Sequence, residues 1–121
     1  MDNVRFRYLY RDGSNYKRWG DIVFSNPDQL SCELVKNQLK GALGNSDLFI
    51  AHQVRIPETF LWNEYSVDSD DHCFHEFSEV EVTSDPPSDE HARSIQVFLD
   101  EVASNSLHGW LAFEPTDRFF P

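Results

Sequence analysis

The residues best equipped for chemistry stand together in one run, Asp70-Asp71-His72-Cys73-Phe74-His75-Glu76. His72, Cys73, His75 and Glu76 are all ligand types that zinc or another borderline divalent ion accepts, and they also suit proton transfer or thiol nucleophilicity. Their spacing works against a joint role. On a strand, His72 and Glu76 share one face while Cys73 and His75 share the other, so neither face offers three soft ligands, and His52, His91 or Cys32 would have to complete a set. The chain contains no CxxC pair, HExxH, Gly-x-Ser-x-Gly elbow, phosphate-binding glycine loop or dinucleotide fingerprint.

The same run lies inside a longer feature. From Ile56 to Ala92 the chain carries eleven carboxylates and no Lys or Arg. The overall formal charge is −11, yet residues 1–20 hold five cations against two carboxylates, which leaves −14 on the rest. Such a distribution disfavours nucleic acid as a direct ligand and suits a basic protein partner, including the basic groove of a nucleic-acid enzyme, where carboxylates stand in for phosphates. The belt residues Glu64, Asp68, Asp70, Asp71, Glu76, Glu79 and Glu81 are expected to steer such a partner. Phe60, Trp62 and Tyr65 are expected to supply apolar anchors beside them.

The elements that must position these residues follow from periodicity. Val4 to Arg11 alternates, with Val4, Phe6, Tyr8 and Tyr10 on one face and Arg5, Arg7, Leu9 and Arg11 on the other, which predicts a half-buried strand. Asp12-Gly13-Ser14-Asn15 supplies turn chemistry, and a second strand at about Trp19 to Ser25 completes an antiparallel hairpin. The arginines and rings of this hairpin resemble a small stacking platform for nucleic acid, but alternation sends most rings to the core and leaves the arginines free to pair with the chain's own carboxylates.

Asn26-Pro27-Asp28-Gln29 carries the signature of a helix start, with Asn as N-cap and Pro at the first helical position, and Leu30, Leu34, Val35, Leu39, Ala42 and Leu43 follow at helical spacing up to Gly44-Asn45. Leu48 to Ile56 reads as a third strand. Pro57 to Trp62 is a short helical turn or a loop, Tyr65 to Asp71 an exposed acidic loop, and Cys73 to Thr83 a strand that needs a register shift or bulge near Ser78 if Phe77 and Val80 are both to be buried. A second helix is expected from Ser88 or Asp89, with Ala92, Ile95, Phe98, Leu99 and Val102 as its buried stripe, followed by a final strand or an extended packing segment from Leu107 to Phe113.

The order predicts a single α+β domain over residues 1–121, with a mostly antiparallel sheet of four or five strands and two helices on one face. A core of this size requires neither a cofactor nor a disulfide, and Cys32 and Cys73 are expected to be free. No apolar run is long enough for a membrane span and no leader is visible, so the expected home is the cytoplasm, with no membrane partner.

The segment Tyr10-Arg11-Asp12-Gly13-Ser14-Asn15-Tyr16-Lys17, with Gly20 and Phe24-Ser25-Asn26-Pro27 beyond it, resembles a family of small bacterial proteins of unknown function. The similarity extends to Gln53-Val54-Arg55-Ile56-Pro57 and to Asp71-His72-Cys73-Phe74-His75-Glu76-Phe77. The resemblance implies a bacterial or phage origin and transfers no activity. Composition and patterning together lead to a small acidic inhibitor or regulator of the immunity, antitoxin or counter-defence kind. The alternative is a metal-dependent or acid–base enzyme built on His72, Cys73, His75 and Glu76.

Overall fold

The first strand is also the central one. In the computed structural model, which describes residues 2–119, β1 (Asn3–Arg11) pairs antiparallel with β2 (Lys17–Phe24) on one side and β4 (His75–Thr83) on the other, and β3 (Leu48–Phe49) adds to β4. The sheet order is β2-β1-β4-β3. Helices α1 (Cys32–Leu43) and α2 (Ile95–His108) and short 3-10 turns at Gly44–Ser46, Ala51–Val54 and Pro115–Arg118 complete an α+β fold with four antiparallel strands.

The alternation of β1 places its two faces as expected. Val4, Phe6 and Tyr8 are buried in one core with Phe24, Phe49, Phe77, Val35, Leu39, Ile95, Phe98 and Leu99, so both helices lie on that face. Phe6 is the hub of this core, stacking on Tyr8 and Phe77 at 5.6 Å each and meeting the edge of Phe98 at 5.0 Å. Removing a ring in such a position costs about 3–5 kcal/mol. Arg7 lies opposite Glu79 but Tyr8 lies opposite Phe77, so Ser78 is the extra residue of a bulge. That bulge keeps Phe77 buried and Val80 packed against the core, as the sequence pattern requires.

Four elements differ from the sequence expectation. Helix α1 starts at Cys32, capped by the Ser31 side chain, because Asn26 closes a separate turn: its side chain accepts from Leu30 N–H at 3.0 Å and donates to Leu30 C=O at 2.9 Å, with Gln29 at φ 53°. Strand β3 is two residues long, since the chain turns into a 3-10 helix at Ala51 and Arg55 takes a left-handed φ of 58°. Helix α2 starts at Ile95 under a Ser94 cap; Asp89 instead closes a turn on Arg93 N–H at 2.9 Å, with Ala92 at φ 52°. Leu107 and His108 belong to α2, and residues 109–114 have no regular secondary structure and do not join the sheet as the expected final strand.

A buried ion group fixes α2 to the neighbouring loops. Arg93, only 5% exposed, donates through Nε and one terminal nitrogen to the Asp89 carboxylate at 2.9 and 3.0 Å, and to Val54 C=O, Glu101 and Arg55 C=O at 2.7, 2.7 and 3.0 Å. All five guanidinium N–H donors are thereby used. Its plane also lies 5.6 Å from Phe24 and 5.3 Å from Phe98. Among the described residues no helix is long and apolar enough to cross a membrane.

Candidate functional site

The acidic loop is held against the β1–β2 hairpin by contacts from many elements. Tyr8 Oη donates to Pro57 C=O at 2.7 Å, Thr59 Oγ1 to Arg18 C=O at 3.1 Å, Arg18 to Phe60 C=O at 3.2 Å, and Trp62 Nε1 to His72 C=O at 3.0 Å. At the hairpin tip, Gly13 N–H donates to Asp70 C=O at 2.9 Å, Ser14 Oγ bonds the Asp70 carboxylate, and Tyr10 Oη donates to Asp71 at 2.7 Å. Burial, reinforced by the Asp71 carboxylate, pushes the Tyr10 phenol above its ordinary range, so it stays a donor there.

Inside the loop, carboxylates and one amide cap backbone N–H groups. Asn63 Oδ1 accepts from Tyr65, Asp68 Oδ1 from Asp70, and Asp71 Oδ2 from Asp68, at 2.8, 2.8 and 3.1 Å. These are local turn bonds of the kind short polar side chains make. They fix the shape of the loop and cancel none of its charge.

Ten of the eleven acids of the belt divide into two populations, and the eleventh, Glu90, lies exposed outside both. On β4, Glu76 pairs with Arg11, Glu79 with Arg7, and Glu81 with Arg5 and Arg7, while Asp85 pairs with Arg5. Hydrogen bonding from Arg5 holds Glu81 below the usual carboxylate range. Glu58 pairs with Arg118, and Asp89 with Arg93. In the loop, by contrast, Glu64, Asp68, Asp70 and Asp71 form no ion pair among the described residues, and the first three are exposed. The arginines of the basic hairpin are thus largely spent on the β4 acids, while its rings Phe6, Tyr8 and Tyr10 are buried.

The three expected anchors also separate. Trp62 is only 7% exposed and stacks on half-buried Phe60 at 4.2 Å, so these two rings secure the loop to the body. Tyr65 stands out at 89% exposure. Leu61, in the same loop, is also exposed, and on the hairpin that the Asp70 contacts join to this loop Tyr16 is 70% exposed and Asp12 half-buried. Nothing local in the sequence joins Tyr16 and Asp12 to this surface; it is the Gly13–Asp70 and Ser14–Asp70 contacts that bring the two stretches together.

His72, Cys73, His75 and Glu76 go four separate ways. His72 Nδ1 accepts from Phe74 N–H at 3.0 Å, which puts its proton on Nε2, 2.7 Å from Arg11 C=O. Cys73 is buried, its Sγ accepts from Phe113 N–H at 3.4 Å, and burial pushes its thiol up, away from the nucleophilic thiolate. His75, fully buried among Tyr8, Tyr10, Phe49 and Phe60, accepts from Thr59 N–H through Nε2 at 2.8 Å. Among the described residues its Nδ1 has no partner, and burial lowers its pKa to about 4. Glu76 lies against Arg11.

A hollow of about 330 Å³ does lie beside His72 and Glu76, with Leu48 and Phe74 in its walls, but its charged and polar groups are satisfied by one another. Among the described residues no three His, Cys, Asp or Glu side chains are placed to hold a metal ion. Comparison with protein-family models, curated proteins and solved structures finds no match to this chain.

Proposed function

We propose that this protein is a small acidic binding protein, an inhibitor or regulator of the immunity, antitoxin or counter-defence kind acting in the cytoplasm, that docks a basic surface of another protein. The observation that supports this reading is the surface formed by the hairpin tip and the acidic loop. There Glu64, Asp68 and Asp70 are exposed and form no ion pair among the described residues, and the same loop carries Tyr65, almost wholly in solvent. An exposed ring amid uncompensated charge combines the two ingredients of a steered interface, an anchor and a long-range field.

Most of the hairpin's cations are engaged elsewhere, although Lys17 and Arg18 stand exposed on β2, with Arg18 bonded to Phe60 C=O at the start of the loop. Because Arg5, Arg7 and Arg11 are held against β4 acids, they do not cancel the loop. At physiological ionic strength such a field reaches about 8 Å, so capture should weaken with salt. Tagged protein is passed over native lysate at low and high salt, beside a Tyr65→Ala variant and a Glu64→Lys/Asp68→Lys variant. A basic protein retained at low salt by the wild type and lost by both variants, each with unchanged circular dichroism, is the expected result. Retention that is indifferent to salt and to both variants refutes the reading.

A further inference from the structure

The sheet ends on an open edge. Phe77 N–H donates to Asp47 C=O at 2.8 Å, but β3 pairs only with His75 and Glu76, so among the described residues no strand lies along β4 from Ser78 to Thr83. Which backbone groups face outward follows from the register. On β2, Val23 exchanges bonds with Ser88, donating to its Oγ and accepting from its N–H at 2.9 Å each, so Val23 faces away from β1. Opposite Val23, Arg5 turns its backbone toward β4, and Glu81 turns back toward Arg5. Val80 and Val82 therefore present their N–H and C=O groups outward, and Val82 is 52% exposed.

The face opposite the helices has charge in rows. Asp21 lies on β2, Arg5, Arg7 and Arg11 on β1, and Glu76, Glu79 and Glu81 on β4. A strand added at about 4.8 Å from β4 would meet the acidic row directly, with the arginines one strand further away. Its alternate side chains would lie beside Glu79 and Glu81, which Arg7 and Arg5 pair from the β1 side and which are both still substantially exposed. The intervening ones would lie beside Val80 and Val82, where a hollow of about 280 Å³ opens between Val82 and Leu30.

The geometry points to β4 as a strand-addition site for an extended segment that alternates basic and apolar residues, paired along Ser78–Thr83. This rests on the basic-partner reading above and specifies how part of such a partner would engage. A second copy of this chain fits poorly, because it would set Glu79 and Glu81 against their own counterparts.

The test uses the blocked peptide Lys-Val-Lys-Val-Lys-Val-Lys, a Glu-for-Lys version, and a shuffled Lys-Lys-Val-Val-Val-Lys-Lys. The expected result is binding of the first alone, with amide exchange at Val80 and Val82 slowed about tenfold or more. Val82→Pro, which removes one outward donor and is tolerated on an edge, should weaken binding about tenfold with circular dichroism unchanged. Should that variant fold poorly, Glu79→Gln/Glu81→Gln should weaken binding while Val80 remains protected by the peptide. Equal binding of the shuffled peptide, unprotected Val80 and Val82, or protection that appears with protein concentration alone overturns the inference. If lysine peptides shift only Tyr65 and its loop, the edge site fails and the docking surface stands; if the peptide protects β4 while lysate capture is insensitive to salt and loop variants, the reverse holds.

Discussion

Replacing Arg93 by methionine removes the charge at the centre of the buried ion group while keeping an apolar stem against Phe24 and Phe98. The Asp89 side chain, 2% exposed, then keeps only backbone partners such as Arg93 N–H, and the carbonyls of Val54 and Arg55 lose their donors. Glu101 still has Arg55. Breaking one side of a buried pair costs about 3–5 kcal/mol, because the remaining charge stays dehydrated and uncompensated. Against a typical total of about 5–15 kcal/mol, urea unfolding should show a large drop in midpoint with little change in slope. Adding Asp89→Asn in the Arg93→Met background should restore about 1 kcal/mol or more, since the charge that made the loss expensive is gone. The pH dependence supplies a second readout. Burial pushes the Asp89 carboxyl up, but the Arg93 hydrogen bonds outweigh it and hold the pKa below the usual value. The pair's stabilisation is therefore present above the ordinary Asp range and lost as pH falls through the lowered pKa, a dependence that Arg93→Met should flatten. A loss below about 1 kcal/mol in Arg93→Met, or a double variant that is simply the sum of its singles, refutes the assignment.

Two further perturbations test other parts of the structure. His75 is neutral when buried, with its pKa lowered to about 4 from 6.5, so it stabilises the fold above the unfolded value and that contribution is lost as pH falls from 6.5 through 4. The loss amounts to about 3 kcal/mol by the acid end of that window, and His75→Phe should flatten the unfolding midpoint there; an unchanged acid slope counts against the assignment. Gly20 lies where β2 passes under Tyr8 and Thr59, and an added Cβ would sit 2.8 Å from Tyr8 Cζ and 2.9 Å from Thr59 Cγ2. Gly20→Ala should cost about 1–3 kcal/mol and raise the exchange rate of Thr59 N–H, whereas a neutral result means that the loop is not seated there.

The alternation of β1 from Val4 to Tyr8 and the need for a bulge near Ser78 were legible because a one-residue slip would invert every side chain from core to solvent, whereas Leu9, buried on the opposite face, departs from that pattern. Helix ends were less so. Asn26 and Asp89 have the chemistry of caps and do bond nearby backbone, yet each closes an isolated turn, and a serine further on takes the cap. Leu48 to Ile56 is apolar enough for a strand, but a left-handed Arg55 and a 3-10 turn bury Ile50, Ala51, Val54 and Ile56 without one. Within the candidate site, the free loop carboxylates and Tyr65 were visible as composition. The neutralisation of the β4 acids depends on which arginine lies across from which glutamate, a matter of register between residues 65 to 76 positions apart, and Trp62 became a buried tether through its bond to His72.

That same register sets a timetable for synthesis. The β1–β2 hairpin can close within the first 25 residues, but the other side of β1 waits for β4, whose Glu79 follows its partner Arg7 by 72 positions. At translation rates of about 5–20 residues per second, a strand rich in Phe and Tyr stays half-paired for roughly 4–14 seconds. During that interval Arg5, Arg7 and Arg11 interrupt the aromatic run with charge, as gatekeepers do in segments prone to aggregate. The arginines that later neutralise β4 would first keep nascent chains apart.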